Sequence, residues 1–128
     1  MNPIPSEVSQ FLETHIDSVD QLEILRVLWE DPDKEWRAVD LAGEAQTPAE
    51  AIGSHLAAMQ GRGLLATKTR GTDLFCRYGA ATPELAQKVS RLLQVYRERP
   101  VTMIKYLYAR AKDPLKALAD AFRLKKES

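Results

Sequence analysis

The stretch TPAEAIGSHLAAMQGRGLL, residues 47–65, decides the fold. Thr47 is a capping residue, Pro48 suits the first helical position, and Glu50 stands three residues after Thr47, where a capping box places its carboxylate. Ile52, Leu56 and Met59 recur at spacings of four and three, so they share one helical face. Gly61 and Gly63 supply stopping points. The stretch therefore reads as a helix with its apolar stripe turned inward. Its outward face carries Glu50, Ala51, Ser54, Ala57 and Ala58, and no Lys or Arg falls between Thr47 and Gln60.

Downstream, residues 64–69 and 74–78 alternate as two strands around Arg70-Gly71-Thr72-Asp73, a Gly-containing turn. Thr82-Pro83-Glu84 then opens a helix whose apolar face is Leu85, Val89, Leu92, Leu93 and Tyr96. Pro100 interrupts, and Val101, Met103, Ile104, Leu107 and Tyr108 follow in a further helix. After Asp113-Pro114, a last stripe of Leu115, Leu118 and Phe122 is expected, with Arg123, Lys125 and Lys126 suited to its final turn.

Upstream, Pro5 and Ser6 start an amphipathic segment bearing Val8, Phe11, Leu12 and Ile16. Ser18 caps a second helix, with Gln21 at the capping-box position and Leu22, Leu25, Val27, Leu28 and Trp29 mostly inward. Asp31-Pro32-Asp33 ends it, because Pro cannot continue the hydrogen-bond ladder. Trp36 lies in a short extended stretch, and Val39, Leu41 and Ala42 mark about two helical turns.

At 128 residues the chain suffices for one modest core. With 45% hydrophobic and 28% charged residues, the composition is that of an ordinary globular protein. MNPIPSEVSQ has neither the basic segment nor the apolar core of a signal peptide, and no apolar run reaches membrane-spanning length. A single cysteine, Cys76, excludes an internal disulfide framework and fits a reducing cytosol, so a cytoplasmic location with no membrane partner is expected. The zero net charge hides a segregation. Residues 1–46 hold 3 Lys/Arg against 11 Asp/Glu, residues 47–79 hold 4 against 2, and residues 80–128 hold 11 against 5. Such asymmetry points either to a basic surface for an anionic partner or to acidic and basic regions that meet within a chain or dimer.

The order helix, helix, short strand, helix, helix, hairpin, helix over residues 18–98 resembles the winged helix-turn-helix. IGSHLAAMQGRGLLATKTRGTDLFCRYG is similar to the ArsR-type and MarR-type regulators: Ile52, His55-Leu56, Met59 and Gly63-Leu64-Leu65 occupy the places of that pattern, with Arg70-Gly71 at the wing tip. EWRAVDLAGE, with Trp36 and Leu41-Ala42, looks like the strand and helix before the turn. The resemblance implies a mainly α fold with a small β-hairpin wing. Residues 1–98 would form the winged domain with its N-terminal helix, and residues 99–128 a C-terminal helical extension packed on that domain, on a dimer partner or on both. It also implies a recognition helix in the major groove and a wing touching phosphates or the minor groove. The chain departs from the pattern at Gly53, Ser54 and Ala57, where the family favours Ser, Arg or Gln, and Lys.

Base reading needs side chains that reach base edges. The helix offers only Thr47 and Ser54, whereas Arg62, Lys68, Arg70 and Arg77 cluster around the hairpin and suit phosphate. The expected DNA-binding residues are therefore Thr47, Ser54, Arg62, Lys68, Arg70 and Arg77. Exposed hairpins are also commonly basic simply to discourage edge pairing. Met103, Tyr106, Leu107 and Tyr108 give one helix more apolar surface than a single stripe requires, and they are expected at a homodimer interface. His15 and His55 lack clustered partners, so no metal site is expected. There is no phosphate loop or nucleophile motif, so neither a catalytic residue nor a cofactor is expected. Two functions stay open: a dimeric DNA-binding transcriptional regulator with wing-dominated phosphate contacts, or a winged-helix module whose residues 47–60 dock protein.

Overall fold

The computed structural model describes residues 4–111. The expected stripe of Leu115, Leu118 and Phe122, and most of the expected 99–128 extension, lie outside them. The elements run α1 (Ser6–His15), α2 (Val19–Glu30), β1 (Trp36–Arg37), α3 (Ala38–Glu44), α4 (Ala49–Gly61), β2 (Leu65–Arg70), β3 (Asp73–Tyr78), α5 (Pro83–Glu98) and α6 (Pro100–Ala111). Among the described residues, six helices and one small antiparallel sheet make up the mainly α architecture expected, wing included.

Helix α2 is the central rod. Leu22, Ile24, Leu25 and Leu28 are all fully buried, while Trp29 is only partly so. Ser18 Oγ accepts the Gln21 N–H at 3.3 Å, as a cap should. The Gln21 side chain, however, reaches one residue past the cap and accepts the Asp17 N–H at 3.0 Å. Helix α1 lays Val8, Phe11 and Leu12 inward and packs along α5. In α5 the Thr82 hydroxyl accepts the Leu85 N–H at 3.1 Å, with Pro83 in the first turn.

The sheet order is β1-β3-β2, all antiparallel. Cys76 in the central strand faces Trp36 on one side and Thr67 on the other. Its thiol is 2% exposed, and burial pushes its pKa up to about 11, which makes it a packing residue with little nucleophilic character. The hairpin turn is tighter than the sequence suggests: Arg70 and Asp73 are paired strand residues, leaving Gly71-Thr72 as the loop. Gly71 stands at φ +63, as a Gly-first two-residue turn requires.

Two helix ends share one hydrogen-bond pattern. After α4, the Gly63 N–H reaches Gln60 O at 2.9 Å and the Leu64 N–H reaches Met59 O at 3.0 Å, with Gly63 at φ +78. This is a Schellman motif. After α3 the Gln46 N–H reaches Gly43 O at 3.3 Å and the Thr47 N–H reaches Ala42 O at 2.9 Å, the same motif with Gln46 forced to φ +56. The residue following a left-handed cap packs back on its own helix, so Thr47 is 6% exposed. The Thr47–Glu50 capping box expected from the sequence is thereby excluded: α4 has no side-chain cap, and Thr47 Oγ1 is buried without a hydrogen-bond partner.

Helix α6 requires a second correction. Met103 is fully buried and Leu107 is 2% exposed, both in this chain's own core beside α5 and α2. They are therefore not free to form a subunit interface. Tyr106 is half-buried and donates to Glu13 Oε1 at 3.2 Å, whereas Tyr108 remains 54% exposed and Val101 62%. The segregated charges also meet within one chain, where Arg91 pairs with Glu7 at 3.2 Å.

Candidate nucleic-acid interface

Helices α3 and α4, joined by a four-residue corner, form a helix-turn-helix, and the β2–β3 hairpin follows at once. Alternation along the hairpin separates its two faces. Leu65, Thr67 and Cys76 point toward the core, while Lys68, Arg70, Asp73 and Arg77 are exposed. The register sets Ala66 opposite Arg77, Lys68 opposite Phe75, and Arg70 opposite Asp73, so these six share the outer face. Arg37 of β1 pairs with Phe75 and joins them. Ala66, Lys68, Arg70, Phe75 and Arg77, with Glu35, border a shallow hollow of about 330 Å³.

The cations there are not equivalent. Arg70 is held by Glu35, with Nη1 to Oε1 at 2.7 Å, and it also stands over the Phe75 ring at 5.2 Å. Arg37 is held by Asp73 at 3.4 Å. Lys68 and Arg77 make no ion pair among the described residues. Lys34 covers Trp36, its Nζ 3.7 Å from the ring centroid.

Arg62 belongs elsewhere. It donates to His15 O at 3.0 Å, to Gln21 Oε1 at 3.3 Å and to Asp17 Oδ2 at 2.9 Å, tying the end of α4 to the α1–α2 corner. Its guanidinium is thus engaged inside the fold and faces away from the role expected for it. Ser54 is exposed on α4, and its hydroxyl donates to Ala51 O of its own helix at 3.0 Å. Of the six residues expected at DNA, the structure gathers Lys68, Arg70 and Arg77 on one surface, leaves Ser54 alone on α4, and turns Thr47 and Arg62 inward. Glu35, Arg37 and Asp73 complete the surface. Glu35 meets Arg70 across 35 positions and Arg37 meets Asp73 across 36, separations at which no local spacing signals contact.

His55, in the His-Leu pair, lies against α2: Nδ1 accepts from Gln21 Nε2 at 3.2 Å, and Nε2 lies 3.8 Å from Asp20 Oδ2. Among the described residues, no group of three or more His, Cys, Asp or Glu is placed to hold a metal ion, and no helix is long and apolar enough to cross a membrane.

No protein-family model matches the chain, and no curated protein sequence matches it. Solved structures do. A MarR-family transcriptional regulator from Silicibacter pomeroyi superposes with a TM-score of 0.54 at 14% identity, over 95% of this chain and 77% of that one. Reduced HlyU from Vibrio cholerae gives 0.52 at 22% identity, over 71% and 90%. A homodimeric winged helix-turn-helix DNA-binding domain from Mycobacterium bovis, described as a possible ArsR-family transcriptional regulator, gives 0.52 at 19% identity, over 73% and 82%. At these identities the likeness is one of fold. The chain has the winged helix-turn-helix fold.

Proposed function

We propose that the chain is a DNA-binding transcriptional regulator that works as a homodimer and holds duplex DNA chiefly through phosphate contacts from the wing. One observation carries the reading: beside the helix-turn-helix, Lys68 and Arg77 stand exposed on the wing's outer face with no ion pair among the described residues, and Arg70 lies between them in sequence. Positive side chains so placed neutralise phosphates without reading sequence. The solved structures described as transcriptional regulators, one of them a homodimeric DNA-binding domain, support the same reading. For the dimer, the exposed Val101 and Tyr108 on α6 offer apolar surface. Thr47 and Arg62 have no place among the contacts, and Ser54 is the one expected base-facing residue left on α4.

Titration against mixed-sequence duplexes at several salt concentrations tests this. Lys68→Ala and Arg77→Ala should each weaken binding to all sequences and flatten the salt slope by about 0.9. No binding at low salt ends the DNA reading. For the dimer, sedimentation giving a single 14.4 kDa species at high concentration ends that part.

A second reading, docking of a protein through residues 47–60, is favoured by the face of α4 itself. That face holds Gly53, Ser54 and Ala57 and no cation, and a Cβ at Gly53 would meet nothing within 4 Å. It gains if duplex DNA fails to bind.

A further inference from the structure

Glu35 lies immediately before β1, and Arg70 closes β2 at the wing turn. The two meet as a fork on a carboxylate: Nη1 is 2.7 Å from Oε1, and Nη2 is 3.5 Å from Oε2. A guanidinium takes a carboxylate and a phosphate with the same bidentate geometry. Glu35 thus sits where a backbone phosphate would sit. The Arg70 side chain is 52% exposed and that of Glu35 33%, so the pair is open to solvent and to exchange. Lys68 and Arg77, on the same face, have no such carboxylate among the described residues.

We propose that Glu35 is a built-in phosphate mimic that gates the wing. While Glu35 keeps its charge it holds the Arg70 fork and withholds Arg70 from the DNA backbone, so the parent chain binds one phosphate contact short. The gate lowers affinity for every duplex alike and so suppresses binding that rests on charge alone. It rests on the DNA reading above and adds to it a residue that sets the affinity.

The test compares the intact chain with E35Q, R70A and the E35Q/R70A double variant, each titrated with a labelled mixed-sequence duplex from 50 to 200 mM salt. E98Q, an exposed carboxylate at the far end of α5, controls for net charge. Releasing one phosphate contact steepens the salt slope by about 0.9. Taking the affinities to converge near 1 M salt, E35Q should bind about 15-fold tighter at 50 mM and about 4-fold tighter at 200 mM. The gain should vanish when Arg70 is Ala, and E98Q should not reproduce it. If the parent chain binds and E35Q binds no tighter, or gains as much without Arg70, the gate is overturned while the DNA reading stands. If neither binds at low salt, the DNA reading falls and takes the gate with it.

Discussion

Gly63 and Gln46 occupy equivalent positions in two Schellman motifs, yet the sequence treats them oppositely. Gly63 at φ +78 has no strain, and a Cβ there would come 3.1 Å from Ala81 Cβ and 3.3 Å from Leu85 Cδ2. The Leu85 tip can rotate, but Ala81 Cβ is fixed to its backbone. Adding the left-handed penalty of about 1–2 kcal/mol to that contact, Gly63→Ala should destabilise the fold by about 2 kcal/mol. Gln46 bears such a penalty already at φ +56. Gln46→Gly should therefore raise stability by up to about 1 kcal/mol, the relief of strain being partly offset by the freer unfolded chain. Urea unfolding of the two variants checks both signs at once, and a neutral Gly63→Ala would mean that the α4–β2 corner can shift. The same pair explains one misreading. Gly63 announces its cap, whereas nothing in Gln46 does, so Thr47 looks like an N-cap when it is the inward residue closing α3.

At the scale of the helix, Gly53 interrupts α4 with open space around it. Glycine inside a helix costs about 1 kcal/mol relative to alanine, so Gly53→Ala should stabilise the protein by about 0.5–1 kcal/mol. The same variant reports on how closely a ligand approaches α4. If duplex DNA lies against the helix at Gly53, the added methyl lowers affinity while stability rises; if the wing carries the contact, affinity does not change. The elements themselves were legible because each has a period or a stop: the stripe of Ile52, Leu56 and Met59, the alternation around Gly71, Pro83 after the Thr82 cap. What such patterns do not give is the partner. The stripe of Met103 and Leu107 reads identically whether it meets another subunit or this chain's α5, and only the three-dimensional packing assigns both to the core. Arg62 likewise looks like a wing cation, since the atoms it binds lie 41 to 47 positions away.

For the whole molecule, part of the segregated charge fastens the acidic N-terminal third to the rest, as Arg91 with Glu7, Arg70 with Glu35 and Arg62 with Asp17 show. Two arginines reach the α1–α2 corner. Arg62 from the end of α4 bonds Asp17 and His15 O, and Arg110 of α6 donates to Ile16 O at 2.7 Å. Beside them His15 stacks on Phe11 with centroids 4.4 Å apart. Burial first, then the charges of Arg62 and Lys88, hold its pKa below the ordinary 6.5. Burial works against the Asp17 carboxyl, but the hydrogen bond and charge of Arg62, helped by Gln21 and Arg110, hold its pKa below the ordinary 3.8. Both groups therefore bind protons more readily in the unfolded chain, and both make stability fall as acid is added. They do so in separate windows. The His15 contribution is complete above about pH 6.5 and declines as pH drops through its folded value; the Asp17 contribution persists to about pH 4 and is lost below it. Melting temperature followed from pH 8 to 3 should show a first shallow decline starting near 6.5 and a steeper one below 4. His15→Gln should abolish the first and keep the second, because glutamine carries no titrating proton. Asp17→Asn should weaken the second, because it removes the ion pair that Arg62 makes across three elements. Should His15→Gln leave the decline near pH 6.5 intact, another group sets that decline and the depressed His15 pKa does not.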